Sequence, residues 1–579
     1  MFITNMSHST PSSVLPDASG GSLGDEQCLS SKSKSTKSKS PDGPNTVSHA
    51  RSVDIQRDVP SVDHTRLTGI KLYILFAAVL FSTFLMALNG SIVSTAIPQI
   101  TSHFKSLDDI GWYGSAYLVS TCCLQPLAGK FYTHFPIKQT YITFSVIFFI
   151  GSVICGSATS SKMLIAGRAI QGIGGAGLLN GAFTTIAAAA PKDKKPMLVG
   201  AGMGISTLGS VVGPLIGGAF TQHVSWRWCF YINLPPGGLA ILILSTLSIP
   251  EQMEKRPVWI NLKNIVTEEL DLIGFALFAP ACVMFLLAMI WGGTTYPWRS
   301  STIIGLFCGA FATLLVCVAW VMYRGDKAMI PPNIARKRLV IFGCFTSCFQ
   351  MGAVLLLSYY LPIWFQVVKN ASPTMSGVMI LPTAIAQILG AVLAGKFVEL
   401  IGYCTAWALF GCTLSSIGAG LMTTFLPSTG AGPWIGYQIL MGTGRGSVLQ
   451  MPITAIQNLL PAQDVAIASS QVFFFQYLGG AIFLAVGETI FTNGLRSSLQ
   501  TYAPNVDAQT IINAGASGVR STAPPADLAA VLLAYNHALV HTFYLALGGS
   551  AASFLTGFGM GWQRIPRKAA KKKDEKVSA

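Results

Sequence analysis

From about residue 70 onward the chain alternates long apolar runs with short polar breaks. Nearly uncharged runs cover about 71–97, 111–129, 139–158, 163–189, 197–221 and 230–248. An amphiphilic linker (250–270) precedes two more, at 271–291 and 302–323. The rest lie at 339–365, 374–395, 403–424, 433–456, 466–490 and 539–562. Each approaches the roughly 20 residues that a helix needs to cross a bilayer. The pattern therefore predicts an all-α polytopic membrane protein of about fourteen spanning helices. The polar stretch 493–537 reads as a long outer loop with a short surface helix at 528–533. Residues 1–66, which include SSKSKSTKSKSPDGPN, show no apolar periodicity and read as a disordered tail. That tail lacks the short apolar core of a cleaved signal peptide, so the first span is expected to serve as the targeting signal.

Composition agrees: 51% of residues are hydrophobic and only 11% charged, against roughly 25% charged in soluble domains. A formal charge of +15 would suggest nucleic acid in a soluble protein. Here the basic residues gather in the tails and on one set of loops, so membrane topology explains them and no nucleic-acid partner is expected. Those loops hold Lys130, Lys138, Lys192, Lys194, Lys195, Lys255, Arg256, Lys263, Arg324, Lys327, Arg336, Lys337, Arg338 and Lys396. The final stretch 563–579 adds a basic tail. This places both termini in the cytoplasm and makes Asn370, in Asn370-Ala371-Ser372, an outward glycosylation acceptor. The twelve cysteines fall mostly inside apolar runs without metal-ligand spacing, and read as small core residues. There is no phosphate-binding loop, metal cluster or nucleophile–base arrangement on the short loops. An enzyme and a resident cofactor are thus not expected, and energy has to come from an ion gradient.

One internal repeat is visible. LAGKF ends the second span at 127–131 and the tenth at 393–397. An offset of eight helices is even, so the two copies run parallel. They pair helices 1–6 (67–249) with helices 9–14 (338–562) and leave 7 and 8, with their linker (250–337), as an inserted pair. Gly129, Lys130, Lys138, Gly395 and Lys396 become candidate gating residues at equivalent cytoplasmic helix ends.

The fifth span is dominated by GAGMGISTLGSVVGPLIGG at 200–218. Each interior glycine costs roughly 1 kcal/mol relative to alanine in a helix, so seven of them need a packing reason. Gly209, Gly213 and Gly217 recur every fourth position and line one face for close approach of a neighbouring backbone. Pro214 removes an amide donor and is expected to kink the helix. Gly200, Gly209, Gly213, Pro214, Gly217 and Gly218 together resemble the antiporter motif in the fifth helix of major facilitator superfamily exporters.

Further stretches carry the same resemblance over about 70–562. They are ALNGSIV at 87–93, GWYGSAY at 111–117, GRAIQGIGGA at 167–176 and WRWCFYINLPPG at 226–237. The chain is similar to the fourteen-helix drug:proton antiporters with which fungi expel toxins and drugs. The resemblance implies two six-helix bundles plus the inserted pair, rocking around a midplane cavity. It implies outward movement of a small hydrophobic organic compound (a secondary metabolite, toxin or drug) against inward proton flow. A monomer in the plasma membrane is expected, with a vacuolar or vesicular membrane as the alternative. The rival reading is proton-coupled or facilitative uptake of a nutrient or siderophore. Asn89 favours it, since the family usually has an acid there and an amide cannot carry a proton.

Charges at helix depth are expensive and usually functional. Arg168 either tunes proton transfer, as the resemblance implies, or satisfies backbone carbonyls. Arg445, inside GTGRG, either binds an anionic substrate group or is structural. Glu488 is the carboxylate well inside a span and either couples protons or is merely interfacial. Asn89 and Gln171 complete the candidate coupling set. Gln125, Asn180, Gln350, Gln387, Gln450, Gln471 and Gln476, like Gln171, either line a cavity or join helices.

Overall fold

The structure, a computed structural model, describes residues 70–105, 109–191, 194–247, 249–251, 269–293 and 295–565. The expectations for the 1–66 tail, Lys192, most of the 250–270 linker (Lys255, Arg256 and Lys263 included) and the basic tail beyond 565 lie outside these residues.

Each of the fourteen apolar runs is helical. The first group is α1 Ile70–Phe104, α2 Ile110–His134, α3 Ile137–Gly156, α4 Ser161–Ala189 and α5 Lys195–His223. Its sixth run breaks at Ile232-Asn233, just before Pro235-Pro236, into α6 Trp228–Tyr231 and α7 Leu234–Thr246. The inserted pair is α8 Leu272–Trp291 and α9 Ser301–Arg324, followed by the short α10 Pro332–Ala335. The last group starts with α11 Arg338–Val367. The turn α12 Pro373–Met379 then leads into α13 Leu381–Ile401 and α14 Cys404–Met422. It ends with α15 Ala431–Val448, α16 Met451–Leu459, α17 Ala462–Tyr502, α18 Ala508–Thr522 and α19 Leu528–Gly557.

Eleven of the fourteen runs are long and apolar enough to cross a membrane by composition; α2, α4 and the α15–α16 run are not among them. All three pack largely into protein rather than lipid, α2 lying against α4, α8 and α17. In α4, Leu164, Arg168, Gln171, Asn180, Phe183 and most of its glycines are buried against α2 and α3. α15 is wedged between α13 and α14. A helix covered by neighbours has no need of a continuous apolar surface.

Helices α1–α7 pack on one another and α11–α19 on one another, giving two bundles. They meet along two seams, α2 on α17 and α5 on α13. The LAGKF repeat makes α13 the counterpart of α2, and the same offset makes α17 the counterpart of α5. Each seam is therefore the image of the other under a pseudo-two-fold axis. The inserted pair breaks that symmetry, because α8 lies against α2 and α17, with α9 outside it. Val119, Cys123 and Leu127 of α2 share an apolar cluster with Phe278, Cys282 and Leu286 of α8 and Ala481 of α17. Asp271 anchors the pair by capping Gly274 N and accepting from Met329 N and Trp320 Nε1, both at 2.8 Å.

The expected outer loop at 493–537 is largely helix. α17 continues to Tyr502 because Leu495, Ser498 and Leu499 keep a helical spacing and are buried. α18 follows, capped by Asp507 at Thr510 N. The 528–533 patch is the first part of α19, with Val531, Ala534, Tyr535 and Ala538 turned inward, and is no separate surface helix.

Candidate functional site

A cavity of about 920 Å³ lies between the bundles. Its walls come from α5 (Thr207, Pro214, Gly218), α11 (Ser358, Pro362), α13 (Gln387), α15 (Arg445) and α17 (Gln476). Met86, Leu179, Met351, Leu355 and Phe473 give it a mainly apolar lining. It reaches His223 at the end of α5 and Gln366 at the end of α11, and so extends toward that face of the protein. Toward the opposite face lie Phe183 and Phe473, with ring centroids 5.2 Å apart across the two bundles. Gln457 Nε2 adds a cross-bundle hydrogen bond of 2.9 Å to Phe183 O.

The candidate gating residues stand at this closed end. A Cβ on Gly129 would come 3.1 Å from Ala466 O and overlap Ser470, so α2 touches the first turns of α17 backbone to backbone. Gly395 does the same to α5, where a Cβ would lie 2.7 Å from Met197 Cα. The two repeat glycines thus make matched close backbone approaches in the two symmetry-related seams. Lys130 is buried and donates to Lys327 O at 3.3 Å, tying α2 to the segment after α9. Lys138 reaches Ser245 O at 2.6 Å, whereas Lys396 is exposed.

The glycine helix divides its work between two neighbours, α1 of its own bundle and α13 across the seam. Gly209, Gly213 and Gly217 face α1 of their own bundle. Added Cβ atoms there would lie 2.6 Å from Phe84 O, 3.0 Å from Ile92 N and 2.6 Å from Ile92 O. Spacing reveals such a face without revealing its partner. The bundle seam instead uses the start of α5, where Gly200 abuts Ala391 O at 2.6 Å and Gly204 abuts Ile388. Gly218 has nothing within 4 Å and, with Pro214, borders the cavity. α5 runs unbroken from Lys195 through Pro214 to His223.

Asn89, Arg168 and Gln171 come together inside the first bundle. Arg168 is 1% exposed, and its Nε donates to Tyr113 O at 2.9 Å while Nη1 donates to Gln171 Oε1 at 2.9 Å. Its guanidinium also lies 4.6 Å from the Tyr117 ring centre. Gln171 Nε2 donates to Ser152 Oγ at 2.7 Å and to Asn89 Oδ1 at 3.2 Å. Asn233 Nδ2 donates to the same Asn89 oxygen at 3.2 Å. Asn233 was legible only as the asparagine before Leu234 and Pro235-Pro236 in the WRWCFYINLPPG stretch. The network holds no carboxylate.

Arg445 and Glu488 join neither this network nor each other. Glu488 is half-buried and accepts from Tyr360 Oη at 2.8 Å in the second bundle. Arg445 borders the cavity with only a long 3.5 Å contact from Nη1 to Ser358 Oγ. Of the glutamines, Gln387 and Gln476 border the cavity. Gln350 bonds Ser415 Oγ at 2.9 Å, and Gln450 bonds Ala391 O at 2.6 Å, as glue between helices. Asn370 is exposed with a left-handed φ of 56°, and Ser372 of the same triplet caps α12 at Met375 N.

Two pseudo-symmetric helical bundles enclosing a cavity toward one face define a membrane transporter rather than an enzyme. The sequence matches the Major Facilitator Superfamily over residues 79–484, and the chain belongs to that superfamily. It is 50% identical over 499 residues to the MFS-type transporter pigP of Monascus ruber, covering 86% of this chain and 87% of that one. It is 48% identical to the efflux pump mlcE of Penicillium citrinum, over 87% of this chain and 92% of the relative. The solved proton:xylose symporter XylE shares the fold, with a TM-score of 0.54 at 14% identity over 83% of this chain and 94% of that one.

Proposed function

We propose that the protein is an efflux pump that exports a small hydrophobic organic compound in exchange for protons by alternating access. The observation that carries this is the apolar cavity at the bundle interface, open toward one face and closed at the other by two matched glycine contacts. Rocking the bundles about the cavity would release Gly129 from α17 and Gly395 from α5 and expose the site to the other face. The names of the relatives, an efflux pump among them, support export over uptake. The basic loops support a cytoplasmic closed end, with both termini inside a plasma-membrane monomer.

Coupling falls to Glu488 in this reading, since Asn89 cannot titrate and no carboxylate among the described residues touches Arg168. Glu488 is tied to Tyr360 and Thr492 rather than to an arginine. The test uses everted vesicles and a fluorescent lipophilic substrate. An acid lumen should drive accumulation, and an uncoupler should abolish it. Accumulation indifferent to the pH gradient would rule out antiport. Glu488→Gln should lose gradient-driven accumulation and retain downhill exchange; if both persist, the coupling group lies elsewhere.

A further inference from the structure

Building on the export reading, we infer that the cavity selects organic acids, with Arg445 holding the anionic group of the substrate. The two buried arginines set the argument. Arg168 is saturated: a backbone carbonyl, an amide oxygen and an aromatic face all meet its guanidinium. It also lies apart from the cavity lining. Arg445 is 9% exposed, borders the cavity, and has its Nε buried with no hydrogen-bond partner. No carboxylate among the described residues pairs with it, and none borders the cavity. A buried cation without a counter-charge is costly, and a cavity that keeps one open is matched to an anion.

The backbone around Arg445 is held for this purpose. A Cβ on Gly446 would overlap Gln387 O, and one on Gly444 would lie 2.6 Å from Gly411 O, so α15 is clamped between α13 and α14. A fixed helix fixes the root of the side chain. Gln476 of α17, also bordering the cavity, has its Nε2 buried without a partner and supplies a second donor. Gln387 donates to Thr207 Oγ1 at 2.5 Å, leaving its Oε1 unpartnered as an acceptor for a hydroxyl or acid proton. A guanidinium meets a carboxylate by charge-assisted, often paired N–H···O bonds, and the apolar walls take the remaining hydrocarbon body. An organic cation would meet Arg445 with no offsetting charge.

The test is binding of 1-pyrenebutyrate and its neutral isostere 1-pyrenebutyramide to the full-length protein in nanodiscs, corrected against empty nanodiscs. The wild type should bind the acid about tenfold or more tightly than the amide, the scale of a charged hydrogen bond. Arg445→Gln should bring acid and amide within about threefold, and Arg445→Lys should keep most of the preference. Monodisperse elution of each variant shows that it is folded. Equal binding of acid and amide by the wild type, a preference that survives in Arg445→Gln, or no saturable binding of either probe would overturn the anion site. Each of these would leave the export reading standing, because the vesicle assay reads gradient-driven transport of a lipophilic substrate and not a preference for acids.

Discussion

Gln171 donates its amide proton to Asn89 at 3.2 Å while its oxygen accepts from Arg168 at 2.9 Å. One glutamine thereby turns a buried cation and a buried amide into a continuous network across α1 and α4. Gln171→Leu would strip the buried Arg168 Nη1 of its acceptor. The expected loss is about 3 kcal/mol of stability, read as a lowered thermal midpoint of the purified protein. Gln171→Glu keeps the acceptor and should lose clearly less. A leucine variant as stable as the wild type would remove the structural role given to this network.

The glycines of α5 should respond unequally to the same substitution. Gly213→Ala forces a methyl against Ser91 and the α1 backbone and should lower both folded yield and export. Gly218→Ala meets open space and should leave the fold intact. Fluorescence-detected gel filtration reports the difference, and equal behaviour of the two would contradict the α1–α5 contact.

Closure at the repeat glycines is testable by distance. Spin labels at Thr133 on α2 and Ala462 on α17 span the first seam. In Gly129→Val the added side chain overlaps Ser470, so the label separation should lengthen and export should fall. Gly395→Val should do the same to the α5–α13 seam. An unchanged distance distribution would mean that this contact does not hold the end shut.

Sidedness follows from Asn370 and Lys194. Asn370 is exposed and should carry a glycan in a eukaryotic host, so Asn370→Gln should increase electrophoretic mobility. A cysteine at Lys194 should react with an impermeant maleimide only after the cells are opened. Labelling of position 194 in intact cells would invert the orientation.

Much of this architecture was legible because a bilayer imposes a coarse rule on sequence. Apolar runs of about 20 residues give helices, and the LAGKF repeat gave the pseudo-symmetry that the seams later display. The partners of a helix face were not legible. Gly209, Gly213 and Gly217 announce close packing, yet nothing in their spacing distinguishes α1 from the opposite bundle. Arg168 and Arg445 look alike in sequence, each a lone arginine near glycines in an apolar run. Only the fold shows that one is enclosed by acceptors and the other is left open on the cavity. The helical 493–502 extension was hidden because its polar outer face masks the inward Leu495 and Leu499.

The inserted pair gives the two seams different company. Along α2 and α17, α8 and α9 stand outside, and α9 turns Phe311, Leu315, Val318 and Met322 outward. Along α5 and α13, no other long helix stands outside among the described residues, and Leu208, Ile385 and Leu389 are exposed. For a solute already dissolved in the hydrocarbon, the molecule therefore has a front and a back: it can drift sideways to the join between bundles at α5 and α13, but at α2 and α17 it first meets two more layers of protein.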